Sequence, residues 1–458
     1  MVVEARNPFD QQLVCTFEHD DENSLETKIS RAESAFKAWK QVPLEERIAE
    51  VGEALQRLRE GSEALAIDVT RQMGKPITES RNEVRTLFAR TETMLSIARE
   101  ALSPDIIEES EAFHRRIEHT PMGVVLNLAA WNYPLIIPVN VVVPALIAGN
   151  SVVIKHSART PLCGQAFESA FSGLSVDHLV SHLVLTHQQT ASLISDRRIA
   201  HVAFTGSVEG GAAIQRQVSK RFIDCGLELG GKDPAYIASD ADLATAIAQT
   251  VEGACYNAGQ SCCAVERIYV HRSQVDAYLQ GAQEAIATFK MGDPLADETT
   301  LGPLANPSAL DLLEGQVTDA IGAGARLIAG GVRVPDVTGN FFPPTLLAEV
   351  PNHTQAMQEE SFGPLIPVLA VDSDEEAIER MRETRFGLTA SVWTGDRDRA
   401  ERIASELEFG TVFQNRCDFL DPALPWTGYG ESGKGSTLSR YGYLHLTRRK
   451  AIHFRLKT

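Results

Sequence analysis

What this sequence has little of narrows it first. It has no apolar run of the roughly 20 residues that a membrane-spanning helix needs. The longest, over 135–148, is interrupted by Pro138, Asn140 and Pro144. Its seven cysteines are odd in number and mostly scattered, with no CxxC pair. That excludes a disulfide framework and gives no reason for structural zinc. Basic residues are outnumbered, 43 Lys and Arg against 61 Asp and Glu, for a formal net charge of −18. This balance argues against nucleic acid or an anionic membrane as partner. The N-terminal stretch MVVEARNPFDQQLV carries no basic segment followed by an apolar one, so no signal peptide is read there and a cytoplasmic protein is expected. Internal repeats and low-complexity segments are also missing.

What is present is an ordinary globular composition, 43% hydrophobic and 23% charged, in 458 residues, enough for two or three domains. Residues 1–23 read as a polar start with short strands. From 24 to 101 the pattern is helical: Ala32, Ala35, Phe36 and Trp39, then Ile48, Val51, Leu55 and Leu58, recur at helical steps. Gly74-Lys-Pro76 breaks the run. Residues 104–122 alternate weakly, carry many charges and predict an exposed hairpin. From Gly123 short apolar runs at 124–129, 151–155, 179–185 and 199–204 alternate with polar or helical segments, the pattern of an α/β fold with a parallel sheet. Ligands of such sheets sit beyond the C-terminal strand ends, where Asn132, Lys155 and Ser207 fall. The small-residue turn Thr205-Gly-Ser-Val-Glu-Gly-Gly211 leads into a helix predicted over 212–220, and its free N–H groups suit a phosphate. A second α/β unit follows, with helices at 241–257, 275–289 and 374–382 and strands at 268–270, 365–369 and 388–393. A Gly-rich loop spans 424–435, and 450–455 alternates like a terminal strand.

The chemistry centres on Asn257-Ala-Gly-Gln-Ser-Cys-Cys-Ala264, which sets cysteines just after a Gly-Gln turn. Glu228 lies upstream in Leu227-Glu-Leu-Gly-Gly-Lys232, and Asn132 in Trp131-Asn-Tyr-Pro134. A thiol attacks, a carboxylate takes protons from water, and an amide donates to an oxyanion. On the residues alone, Cys262 and Cys263 are equally eligible as the thiol.

These motifs, with Phe204-Thr-Gly-Ser207 and Glu359-Glu-Ser-Phe-Gly-Pro364, resemble the aldehyde dehydrogenase superfamily from about residue 30 to the C-terminus. The resemblance implies a Rossmann-type dinucleotide-binding domain (1–103 and 123–231), a catalytic domain (232–430) and an oligomerisation arm (104–122 and 440–458) that joins a homodimer or homotetramer. It implies that Cys262 is the nucleophile, that Asn132 and the Cys262 N–H hold the oxyanion, and that Glu228 activates the hydrolytic water. Lys155 and Glu360 match ribose-binding positions, Phe362 packs near the nicotinamide, and Gly206 and Ser207 contact the pyrophosphate, with Trp131, Ser157 and Ala158 alongside. Tyr133, Ile136, Ile137, Asn140, Ser261, Cys263, Phe419, Leu420 and Trp426 line the substrate pocket. No metal is implied.

The sequence also departs from the family's pattern. NAD-preferring members usually carry a glutamate where Ala158 stands. Its loss removes repulsion against a 2′-phosphate, so NADP is expected as well as NAD. Relatives acting on succinate semialdehyde often place an arginine where Asn140 stands, so an uncharged aliphatic or aromatic aldehyde is expected, with Arg416 the substitute cation if the substrate is acidic. A Lys–Glu pair that relays protons in many members falls here on Val141 and Arg448, and a lysine of the tail on Gly430. A succinate semialdehyde-type enzyme, a non-catalytic cofactor-binding or structural relative, and redox sensing at Cys262-Cys263 are the alternatives.

Overall fold

The computed structural model describes residues 2–335 and 337–457. Two open α/β sheets carry the molecule. The first has six strands, in the order Gly433–Lys434, Cys225–Glu228, Ile199–Thr205, Val124–Ala129, Ser151–His156 and Val180–His182. All its pairings are parallel except that of the Gly433–Lys434 edge. The central strand Val124–Ala129 is buried throughout, as expected of a strand covered on both faces. Its period of two sorts the side chains. Leu126 and Leu128 face a core shared with Ile29 and Ala32 of the helix Glu22–Trp39. Val125 faces the core built by the helices Leu44–Glu60, Ser62–Met73 and Ile77–Leu102. From Val124–Ala129 the chain steps out to Ser151–His156 and Val180–His182, then returns to Ile199–Thr205 on the opposite side. The crevice between the ends Ala129 and Thr205 is therefore the switch point of the sheet.

The second sheet has seven strands, in the order Arg326–Ala329, Thr345–Ala348, Leu365–Val371, Val265–His271, Asp233–Ile237, Thr389–Trp393 and Thr411–Gln414, parallel except at the Arg326–Ala329 edge. The linker Leu229-Gly-Gly-Lys232 passes from one sheet to the other and sets Glu228 at the junction. The 104–122 segment is a hairpin of Asp105–Glu109 and Phe113–Pro121, and Thr447–Arg455 adds a third strand in register from Thr447 opposite Pro121 to Arg455 opposite Phe113. Ile106, Ile107 and Phe454 are exposed on it.

Three local readings change. The proline-broken run at 135–148 is one helix, Ile136–Ile147, with nearly every residue buried. Pro138 sits in its first turn, where a missing N–H breaks no intrahelical bond, and burial on all sides holds Pro144 inside it. The helix expected from 212 begins at Val208, capped by the Ser207 hydroxyl, which accepts from the Gly210 N–H. Gly210 and Gly211 belong to the helix because a Cβ on Gly211 would lie 2.5 Å from Leu229 and one on Gly210 2.8 Å from the Phe204 ring. They serve close packing, not a turn. The 179–185 run yields only the strand Val180–His182. Among the described residues, no helix is long and apolar enough to cross a membrane.

Candidate active site

The cysteine loop is a strained piece of backbone. The helix Leu243–Cys255 ends, and Asn257, Ala258 and Gly259 then all take left-handed φ values of 55°, 53° and 72°. Such a run is costly for residues with a Cβ, so neighbours must impose it. Gly259 has no alternative: a Cβ there would lie 2.3 Å from the Gly363 carbonyl. The Asn257 N–H donates to Glu79 Oε2 (3.0 Å). Its side-chain amide donates to the carbonyls of Asn132 (3.1 Å) and Gln260 (3.0 Å). Gln260 is pinned at both ends, donating to the Asn257 carbonyl and accepting from the Ala305 N–H at 2.8 Å. Ser261, Cys262 and Cys263 follow from this fixed point.

The two cysteines differ in surroundings. Cys262 is half-buried, and Cys263 is 3% exposed. The Cys263 thiol donates to Asp418 Oδ1 at 3.0 Å, and Ser261 Oγ donates to the same oxygen at 3.1 Å. Its hydrogen bond to Cys262, followed by burial and the charge of Asp418, holds Cys263 well above the ordinary thiol range. Cys263 is thus a locked thiol, and Cys262 is the more open of the pair. Asp418 carries no motif in the sequence. Burial pushes its carboxyl up to about 6.

Asn132 is buried just past Val124–Ala129, and its amide donates to the Gln260 carbonyl at 3.2 Å. It is tied to the cysteine loop and does not itself line the cavity described below. Its own loop is fixed twice. Lys75 and Glu83, both almost fully buried, pair at 2.6 Å. The other Glu83 oxygen accepts the N–H groups of Leu135 (2.8 Å) and Ile136 (3.3 Å), capping Ile136–Ile147. Lys75 also sits 4.1 Å from the Tyr133 ring centroid. On the far side, His156 Nε2 meets the Pro134 carbonyl at 2.8 Å, with burial lowering this imidazole to about 4, so it stays neutral. In the sequence, Gly74-Lys-Pro76 reads only as a helix break.

Glu228 ends the strand Cys225–Glu228 and accepts from Thr205 Oγ1 (3.1 Å) and Thr437 Oγ1 (2.5 Å). Burial raises its carboxyl above the usual range. Glu228 and Cys262 line one cavity of about 480 Å³ together with Tyr133, Ile136, Ile137, Asn140, Ser261, Cys263, Phe419, Leu420 and Trp426. The expected pocket residues are therefore brought together. Two guanidinium groups share the cavity, from Arg416 and from Arg90 of Ile77–Leu102. Arg90 is 5% exposed. Its only recorded bond among the described residues is from Nη1 to Asn140 Oδ1 at 3.5 Å, and its Nε has no partner. A buried guanidinium without a carboxylate is costly and was not legible from helical spacing.

The residues expected to hold a cofactor surround the switch point. Gly206 and Ser207 lead into the helix Val208–Val218, whose first N–H groups suit a pyrophosphate. Lys155 stands near the end of Ser151–His156, half-buried, with no recorded acceptor among the described residues. Ser157 follows and accepts the Arg159 N–H, and Ala158 is exposed. Trp131 meets Phe362 edge to face at 5.6 Å between centroids. Glu360 accepts the Gly231 N–H at 3.1 Å, and burial pushes its carboxyl up to about 8. A Cβ on Gly230 would lie 2.5 Å from that carboxyl, and one on Gly231 2.4 Å from the Cys262 carbonyl, so Gly230-Gly231 brings Glu360 beside the cysteine loop. The turn behind Glu360 is held by Glu266, which pairs with buried Lys232 (2.7 Å) and accepts the N–H groups of Ser361 and Phe362. A free amine, a helix N-terminus and an uncharged carboxyl around a switch point fit a nicotinamide dinucleotide.

The aldehyde dehydrogenase family model matches residues 1–452. The chain is 34% identical, over 92% of its length and 91% of the relative's, to the NAD(P)+ succinate semialdehyde dehydrogenase Sad of Escherichia coli strain K12. It is 33% identical, over 97% and 93%, to the NADP+ succinate-semialdehyde dehydrogenase of Deinococcus radiodurans. Among solved structures, it superposes with a TM-score of 0.94 and 30% identity on succinic semialdehyde dehydrogenase from Streptococcus pyogenes in complex with NADP+, covering 99% of this chain and 100% of that one. Fold and likeness agree over nearly the whole chain, and the protein belongs to the aldehyde dehydrogenase family.

Proposed function

We propose that this enzyme oxidises an aldehyde carrying an anionic group to the corresponding acid on Cys262, with NADP or NAD as hydride acceptor. The observation that carries the chemistry is the single cavity that Cys262 and Glu228 share, with Asn132 bonded to the loop that presents the cysteine. The Cys262 thiolate adds to the aldehyde carbon, and the carbonyl oxygen becomes an oxyanion that the Asn132 amide and the Cys262 N–H stabilise. A nicotinamide dinucleotide held by Lys155, the Gly206-Ser207 turn and Glu360 would supply the acceptor for the hydride on that carbon. Glu228 then takes a proton from water, the water oxygen bonds to the thioester carbon, and the C–S bond breaks to release the acid and the thiolate.

Arg90 and Arg416 support the anionic reading, because Arg90 lies inside the cavity with bonding capacity to spare. The succinate semialdehyde relatives described above favour the same reading. Lys155, the Gly206-Ser207 turn and Glu360 would hold the dinucleotide, and Ala158 places no charge against a 2′-phosphate. The first sheet serves cofactor binding, the second catalysis, and the three-stranded sheet, with Ile106 and Phe454 exposed, joins copies of the chain. Seven free cysteines support a reducing, cytoplasmic setting.

The test is reduced-nicotinamide absorbance with succinate semialdehyde, short and long aliphatic aldehydes and an aromatic aldehyde, each with NAD and NADP. Preference for the semialdehyde, abolished in Cys262→Ala, is expected. A preference for uncharged aldehydes would overturn the anionic reading, and no reaction with any aldehyde would overturn the catalytic one.

A further inference from the structure

Glu228 is a wall between two cavities. One is the substrate cavity. The other is a small, partly open space of about 20 Å³, lined by Glu228, Thr437, Ser436, His201, His445 and Lys434 together with the apolar Val141, Phe204 and Leu446. It exceeds the roughly 10–15 Å³ that one water needs. Its lining is mainly apolar, and the few polar atoms that would hold a water there are buried and unpartnered. His201 is fully buried, and neither of its ring nitrogens has a protein partner. His445 Nε2 and Ser436 Oγ are likewise buried and unpartnered. The two imidazoles meet edge to face, 4.9 Å between centroids. Room for the His445 ring is made by glycines: a Cβ on Gly435, at φ +86°, would lie 2.7 Å from Nε2, and one on Gly226 3.1 Å. Ser436 and His445 line a second, open cleft of about 680 Å³, beside Asp224 and Arg448. Shared lining thus links Glu228, through the small space, to a cleft distinct from the substrate cavity.

We propose that the proton Glu228 takes from the hydrolytic water leaves by this route, through Thr437 and a single water to His201 and His445, and out past Ser436. The proposal rests on Glu228 being the general base. Each step conserves protons. The Glu228 O–H gives its proton to Thr437 Oγ1 as that hydroxyl passes its own to the water. The water then protonates an imidazole nitrogen, and one proton leaves for the cleft. A neutral imidazole with one donor and one acceptor nitrogen suits the relay. Burial lowers both histidines, and among the charged groups around them Lys434 lowers them further while Asp224 raises His445. Thr437 is the positioning and relay residue nearest the base. Val141, on the same small cavity, carries no proton.

The experiment is stopped-flow absorbance of reduced nicotinamide with the best aldehyde of the panel, using Thr437→Val, Thr437→Ser and His445→Phe, with Glu228→Gln as control. Hydride transfer precedes hydrolysis, so Thr437→Val and His445→Phe should keep a first-turnover burst at the wild-type rate, followed by a steady rate lower by about tenfold. The solvent deuterium isotope effect on that rate should rise, Thr437→Ser should restore it, and added imidazole should partly rescue His445→Phe through the open cleft. Wild-type steady rates in both Thr437→Val and His445→Phe would overturn the route. So would a burst and steady rate that fall in parallel, the mark of a structural role. Hydrolysis at the wild-type rate in Glu228→Gln would overturn the base assignment itself, whatever the relay variants do.

Discussion

At the residue scale, the two adjacent cysteines and the lone Arg90 carry the sharpest expectations. Cys262→Ala should abolish dehydrogenase activity, while Cys263→Ala should keep a wild-type burst, because Cys263 is almost fully buried and its thiol is held well above the ordinary range; burst kinetics on both variants check this. Arg90→Met should raise KM for a carboxylate-bearing aldehyde by roughly 10- to 100-fold, the equivalent of about 1.5–3 kcal/mol for a hydrogen bond to a charged group, and leave an uncharged aldehyde unaffected. Steady-state kinetics on the matched pair decide it. The motif residues were legible because their chemistry is local: a thiol after a tight turn, a carboxylate before two glycines. Arg90, Asp418, Lys75 and Glu83 were not. Each comes from an element distant in the chain, and nothing in helical periodicity tells a buried cation from a surface one.

At the scale of elements, the site is held by its connections. The Lys75–Glu83 pair joins the break after Ser62–Met73 to the start of Ile136–Ile147. Removing one partner leaves a buried charge unpaired, so Lys75→Met should cost about 3–5 kcal/mol. Denaturant unfolding monitored by tryptophan fluorescence measures that loss. The sequence showed the parallel sheet but hid the element carrying this pair's cap. Two prolines in a short apolar run read as breaks, and only the surrounding core makes them tolerable. The early start of Val208–Val218 was hidden for a related reason. Glycines chosen for close packing against Phe204 and Leu229 look the same in sequence as glycines chosen for a turn.

Over the whole molecule, buried ionisable groups set how stability follows pH. Burial pushes Glu79 and Glu360 up to about 8, so above pH 4.5 the folded chain keeps protons that the unfolded chain has released. Stability must therefore fall as pH rises toward 8. Burial lowers His156, His182 and His201 to about 4, 3 and 3, so below 6.5 the unfolded chain binds the extra protons and stability rises with pH there. The two trends oppose each other between 4.5 and 6.5, and above 6.5 the histidines no longer offset the decline from the two carboxyls. Thermal unfolding of the cofactor-free protein should show Tm falling between pH 6.5 and 8, and Glu79→Gln should make that fall shallower while its amide oxygen still accepts the Asn257 N–H. The Thr447–Arg455 strand acts at the same scale. On the proposed assembly through the three-stranded sheet, removing residues 447–457 should leave a monomer by sedimentation, since it strips the third strand from that sheet.

Glu228 stands with one face to the cavity shared with Cys262 and the other to the space beside the histidine pair. On the proposed route, entry of the aldehyde and departure of the proton do not compete for one doorway. A substrate that fills its chamber to the walls leaves the recharging of the base untouched. The range of aldehydes can then be redrawn by changing the residues around Arg90 without retuning the acid–base half of the cycle.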